Sequence, residues 1–229
     1  IRAAKGHDID PTAVNFKSGD SLLASVIGRS NQNVYLQDST GRFYAVPSHT
    51  LPSARGQGEP ASGKLNLPAG ATLTGMIMGE DDKEVFVGTS AGYGFRTTIT
   101  DLHTKNKAGK SVVKISPYAQ VVQPKLIYDD NSLIVAVSNE GRMLVFDISN
   151  VPKLAKGKGN KIINIPSARL KRGEEWVIDY AIVGQGTSLL VYSGKRYLSL
   201  KYGDLEHYIG ERGRRGHKLP RGFQRVDYL

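Results

Sequence analysis

Leu133-Ile134-Val135-Ala136-Val137-Ser138-Asn139-Glu140-Gly141-Arg142-Met143-Leu144-Val145-Phe146 reads as two apolar strands joined by a tight turn. Glycine suits that turn because it takes a positive φ without a Cβ clash. The same arrangement recurs. Val85-Phe86-Val87 and Phe95 to Ile99 flank Gly92, and Leu189-Leu190-Val191-Tyr192 and Tyr197-Leu198-Ser199-Leu200 flank Gly194. With Gly41 included, the marker glycines are spaced 51, 49 and 53 residues apart. A period near 50 implies a toroidal array of small sheets, since one unit of that size cannot bury its apolar face alone. Radial repetition of four-stranded sheets also limits exposed sheet edges.

The spacing predicts an all-β, propeller-like array of four complete units, 31–78, 79–128, 129–183 and 184–229, and a partial unit over 1–30. Gly19 to Ile27 lies along Gly70 to Met78 with its apolar residues in phase, so the first thirty residues read as the second half of a unit. The chain is therefore expected to be a piece of a longer protein. Trp176 to Val183 is expected to complete the third unit. Helix-like stretches are weak, Asp204 to Tyr208 being an example.

Between the hairpins lie basic loops. Ala54-Arg55-Gly56, Asn106-Lys107-Ala108, Ala155-Lys156-Gly157 and Glu211-Arg212-Gly213 each follow a marker glycine by about fifteen residues, and Ala4-Lys5-Gly6 opens the chain. Short strands are expected after them, at Leu65-Asn66-Leu67-Pro68, Val113-Lys114-Ile115-Ser116 and Ile163-Asn164-Ile165-Pro166. A basic loop at one place in every unit sets positive charge at intervals along one rim. Glycine beside Lys or Arg lets main-chain N–H groups and the cationic head both reach phosphate oxygens.

Composition agrees. The formal net charge is +10, with 16 Lys and Arg against 7 Asp and Glu in residues 151–229, and 15 against 14 before them. Such asymmetry points to nucleic acid or another anionic surface. Cysteine is absent, which excludes disulfides and thiolate metal sites, and the five histidines show no ligand spacing. No apolar run is long enough for a membrane span and no signal-peptide pattern opens the chain, so a cytoplasmic protein is expected. The acidic turns Glu80-Asp81-Asp82-Lys83 and Asp129-Asp130-Asn131 read as solvated turns on the face opposite the basic loops.

No catalytic site, metal site or nucleotide-phosphate loop emerges. The tyrosines fall in strand patterns, and aromatic residues are not interleaved with the basic loops, which favours duplex backbone contact over base stacking. No recognition helix is evident, so binding should follow charge and duplex deformability rather than sequence. A scaffold for acidic proteins is the alternative, and an enzyme with a site in a central channel ranks third.

The chain resembles the family of C-terminal domains of the topoisomerase IV A subunit, sister to those of the gyrase A subunit. The stretches that carry the resemblance are Leu51-Pro52-Ser53-Ala54-Arg55-Gly56-Gln57-Gly58-Glu59-Pro60, Lys156 to Ser167, and Gly210-Glu211-Arg212-Gly213-Arg214-Arg215-Gly216. The resemblance implies a β-pinwheel whose neighbouring blades exchange strands, and a non-catalytic domain binding and bending double-stranded DNA without sequence preference. It implies as partners the N-terminal cleavage core of the same polypeptide, together with the ATPase B subunit, in a bacterial heterotetramer associated with the nucleoid. No cofactor is expected in this domain; ATP and Mg2+ would act elsewhere in the parent enzyme. The Gln-Arg-Arg-Gly-Gly-Lys-Gly box of gyrase-type domains is missing, so strong chiral wrapping is not expected.

The expected DNA-contacting residues are Lys5, Arg55, Lys107, Lys110, Lys156, Lys158, Lys161, Lys195, Arg196, Arg212, Arg214, Arg215 and Lys218. Arg212, Arg214 and Arg215, with Lys218 and Arg221 close behind, make the last loop the densest. Arginine's planar fork grips phosphate through two donors at once. That loop is therefore expected to dominate binding.

Overall fold

The computed structural model describes residues 1–6 and 8–229; His7 lies outside the described residues. Along the chain run β1 (Asn33–Asp38), β2 (Arg42–Pro47), β3 (Leu73–Ile77), β4 (Glu84–Gly88), β5 (Tyr93–Thr98), α1 (Ile99–Leu102), β6 (Lys110–Ser111) and β7 (Lys125–Ile127). There follow β8 (Leu133–Ser138), β9 (Arg142–Asp147), β10 (Asn160–Lys161), α2 (Ser167–Lys171), β11 (Val177–Val183), β12 (Ser188–Ser193), β13 (Arg196–Lys201) and β14 (His217–Lys218). The four hairpins fall where the glycine spacing places them. Tyr202–Tyr208 forms a 3-10 helix over the expected helix-like stretch.

The strands make three four-stranded antiparallel sheets, ordered β3-β1-β2-β6, β10-β5-β4-β7 and β11-β8-β9-β14, and a two-stranded sheet, β12-β13. Three of the four expected units carry four-stranded sheets; among the described residues the fourth hairpin pairs with no further named strand, and residues 1–30 contribute none. Each four-stranded sheet draws one edge strand from beyond its own unit. β6 joins the first hairpin, β10 the second and β14 the third.

The marker glycines make that exchange possible. Gly41, Gly92 and Gly141 have φ of 85, 85 and 68°, in the region that favours glycine. The Gly92 carbonyl accepts from the amides of Ile162 and Ile163 at 2.7 and 3.3 Å, and the Gly41 carbonyl from those of Val112 and Val113 at 3.1 and 3.0 Å. The amide of Leu219 reaches the Gly141 carbonyl at 2.8 Å. Bending onto the glycine ends the ladder after two residues. The strands expected at Val113–Ser116 and Ile163–Pro166 are accordingly found just before them, as β6 and β10, while Val113, Ile163 and Ile165 are buried core residues.

Apolar residues fill the spaces between successive sheets. Val85, Val87, Phe95 and Ile99 pack with Tyr35, Phe43 and Val113. Phe86, Ile134, Leu144, Ile163 and Tyr180 form the next layer, and Val135, Val137, Met143, Val145, Leu189 and Val191 the one after. The Phe86 and Tyr180 rings lie 4.8 Å apart between centroids, and the Tyr180 hydroxyl donates to the Thr89 carbonyl at 2.8 Å, so this buried polar atom is satisfied. α1 begins at Thr98, whose hydroxyl accepts the Asp101 amide at 3.1 Å, and it buries Ile99 and Leu102.

Candidate nucleic-acid interface

The basic loops are docked on one another's flanks, in series. Arg2 bridges the Asn15 carbonyl at 2.5 Å and the Gly56 carbonyl of the next loop at 2.8 Å. The Asn66 amide donates to the Lys107 carbonyl at 2.8 Å, and the Lys114 amide to Gly157 at 2.8 Å. The Asn164 amide donates to Arg214 at 2.9 Å. Asn66, Lys114 and Asn164 hold equivalent places after their own basic loops, so each loop is seated on the segment behind the preceding one. One continuous line of basic loops results. The acidic turns at Asp81–Asp82 and Asp129–Asn131 are exposed and sit at the strand ends away from the hairpin glycines.

The expected residues are not equivalent in this setting. Lys5, Arg55, Lys107, Lys156, Lys195, Arg196 and Lys218 are exposed, and among the described residues no hydrogen bond or ion pair engages their side chains. Lys195 and Arg196 sit in and beside the turn of the last hairpin rather than on a basic loop. Lys110 and Lys161 lie half-buried in the exchanged strands. The Lys110 ammonium donates to the Asp101 carbonyl at 2.5 Å, and that of Lys161 to the Asn164 amide oxygen at 3.3 Å.

The last loop differs most from expectation. Arg212 donates to the Lys161 carbonyl at 3.0 Å, and Arg214 pairs with Glu211 at 2.8 Å in open solvent. Arg215 grips the Glu175 carboxylate with both ends of its fork, at 2.7 and 2.6 Å, and donates to the Asn164 carbonyl at 3.0 Å. Charge density along the sequence does not distinguish a free arginine from one committed to a neighbour.

An aromatic residue does accompany the basic loops, contrary to the sequence reading. The Lys158 ammonium lies 4.0 Å from the centroid of the Tyr93 ring, and that of Lys161 5.9 Å from it. Tyr93 opens β5 beside Gly92, and the exchange of β10 brings it under lysines 65 and 68 positions further on. The ring face attracts the cations and holds that loop against the sheet. Linear proximity carries no trace of this pairing.

An ion cluster, buried at Arg96 and Glu84 and open to solvent at Lys153, anchors the foot of the fourth loop, the one that carries Lys156. The Arg96 Nε donates to the Val151 carbonyl at 2.8 Å, and its guanidinium pairs with Glu84 at 2.9 Å. Lys153 closes the cluster on the other oxygen of Glu84. These groups flank a cleft of about 260 Å³ with Thr98, Asp101 and Leu154. Among the described residues no three acidic or histidine side chains gather to hold a metal ion, and no helix is long and apolar enough to cross a membrane.

Residues 83–127 and 132–179 match the family model of the DNA gyrase C-terminal domain, beta-propeller. The A subunit of DNA topoisomerase 4 from Pseudomonas aeruginosa is 51% identical over 230 residues, covering 100% of this chain and 30% of that protein. The solved C-terminal domain of E. coli ParC is 50% identical and covers 99% of this chain and 91% of its own, with a TM-score of 0.84. A solved C-terminal domain of DNA topoisomerase IV, 18% identical, shares the fold with a TM-score of 0.74 over 93% of this chain and 67% of its own. The chain thus spans about a third of the length of the curated relatives it matches. It belongs to the family of C-terminal domains of the topoisomerase IV A subunit, relatives of the gyrase A C-terminal domain.

Proposed function

We propose that the chain is a non-catalytic module that binds and bends duplex DNA, guides DNA segments across a type II topoisomerase and helps it discriminate supercoil handedness. The observation that carries this reading is the line of docked loops presenting Lys5, Arg55, Lys107 and Lys156 at one repeated position, exposed and without side-chain partners among the described residues. Regularly spaced cations on a fixed rim match a polyanion whose charges are themselves regularly spaced. Among the described residues no long helix is available to enter a major groove, so the contacts fall on phosphates and binding is independent of sequence. The work of bending the duplex is offset by the further loops that a bent path reaches.

In this reading its partners in the bacterial cytoplasm are the cleavage core of the same polypeptide and an ATPase subunit. The module itself takes no cofactor, and ATP and Mg2+ serve the parent enzyme elsewhere. The test is equilibrium binding to a random-sequence duplex at physiological salt. A dissociation constant in the range of about 10⁻⁴ to 10⁻⁶ M or tighter is expected. Negligible duplex binding, with capture of acidic protein surfaces instead, would refute the proposal and favour a scaffold.

A further inference from the structure

We infer that Glu175 is a positioning residue that holds the fifth basic loop, residues 211–216, at its place on the rim; this deepens the DNA-binding reading and rests on it. Glu175 stands between α2 and β11 and its side chain is 0% exposed. Its two oxygens receive the Arg215 fork at 2.7 and 2.6 Å, and Arg169 of α2 approaches the same carboxylate at 3.3 Å. Arg215 reaches across to the Asn164 carbonyl as well. The fifth loop meets its neighbour through the main-chain bonds Gly213 to Ile162 and Asn164 to Arg214, through the bond from Arg212 to the Lys161 carbonyl, and through the Arg215–Glu175 ion pair.

A buried carboxylate is costly unless it is paired and fully hydrogen-bonded, and two guanidinium groups meet that need here. The Lys156 loop is tied at its foot, through Lys153 to Glu84, but among the described residues none of the tip cations Arg55, Lys107 and Lys156 enters an ion pair as Arg215 does. Arg215 therefore spends its charge on placing Arg212 and Arg214 rather than on a phosphate. The densest basic loop in the sequence depends on an acidic residue 36 to 41 positions before it.

Net charge and loop positioning predict opposite effects at this residue. Glu175→Gln raises the formal charge from +10 to +11. A polyanion responding to charge alone binds that variant more tightly. If Glu175 positions the loop, the variant binds more weakly. Glu174→Gln makes the same change of charge at an adjacent carboxylate that is 43% exposed, pairs with Arg172 and Arg169 and does not touch Arg215, and it serves as the control.

The experiment is binding of a random-sequence duplex by the 229-residue chain and its variants, over a range of salt, with thermal melts recorded for each. Removing one phosphate partner weakens binding about eightfold at 0.1 M salt and lowers the salt slope by about 0.9. Glu175→Gln is expected to show that loss, and Glu174→Gln to bind as wild type or tighter. Arg215→Lys keeps the charge, lacks the fork and is expected to reproduce the loss. If Glu175→Gln does not fold, Glu175→Asp, which withdraws the carboxylate by one methylene, decides in its place. Glu175→Gln binding as well as Glu174→Gln overturns the inference. So does Glu175→Asp with unchanged affinity, or Arg215→Lys with unchanged affinity and slope. A loss from Arg215→Lys with a gain from Glu175→Gln would make Arg215 a direct phosphate ligand, which also overturns it. A wild-type chain that fails to bind duplex refutes the DNA-binding reading itself.

Discussion

Gly92 and Ile163 meet backbone to backbone, 71 residues apart in the chain. The glycine carbonyl accepts the Ile163 amide at 3.3 Å, and a Cβ on Gly92 would collide with the Ile163 carbonyl oxygen. The same approach recurs between Gly41 and Val113, and Gly141 stands likewise against Phe223. These close approaches are where one unit receives chain from the next. At Gly194, φ is +59° and the space where a Cβ would stand is open.

Gly92→Ala is therefore expected to destabilise the fold well beyond Gly194→Ala. The second change meets only the left-handed backbone penalty of about 1–2 kcal/mol. The first adds a clash with main chain that only a shift of the exchanged strand relieves. Urea midpoints of the two variants check this, and equal losses would show that the exchanged strand is not seated against the glycine.

The positions of the hairpins were legible because a positive-φ glycine and its flanking apolar runs are local signals. The exchange of strands was not. β6, β10 and β14 are two residues long, too short for any alternation to register, and their partners lie 66 to 76 residues away. The basic loops could be read from Arg55, Lys107 and Lys156. Which cations were free could not, because Glu175 and Tyr93 reach Arg215 and Lys158 only through the fold.

Lys107→Ala with Lys156→Ala should separate binding from stability. Both side chains are exposed, so the melting behaviour should stay within about 0.5 kcal/mol of wild type. The salt slope of duplex binding should fall by about 1.8, that is about 0.9 for each phosphate partner removed. The loss should be the same on duplexes of different sequence. A loss confined to one sequence would contradict backbone contact.

Arg215→Ala should lower stability as well as binding. It leaves Glu175 buried with Arg169 as its remaining partner, and breaking a buried pair costs about 3–5 kcal/mol. A thermal or urea melt reads this directly. A variant as stable as wild type would show that the pair is not a structural clamp.

Stability at alkaline pH should depend on Tyr180. Burial raises its phenol above the ordinary value, and the Asp179 carboxylate adds to the shift. The folded chain keeps the proton at pH values where the unfolded chain, with a phenol near about 10, has released it. That contribution is intact below about pH 10 and is lost as pH rises beyond it. Tyr180→Phe should lose about 1 kcal/mol at neutral pH with the bond to the Thr89 carbonyl, and should show a shallower decline above about pH 10. Parallel curves for the two proteins would contradict the assignment.

The most direct measurement for a duplex held along the rim of basic loops is the salt dependence of binding by the unmodified chain. Contact with about 6 to 10 phosphates gives a fall of roughly 10³- to 10⁵-fold in affinity between about 50 and 200 mM salt, equal for unrelated duplex sequences. A shallow dependence, or strong preference for one sequence, would mean that the line of loops does not follow a phosphate backbone.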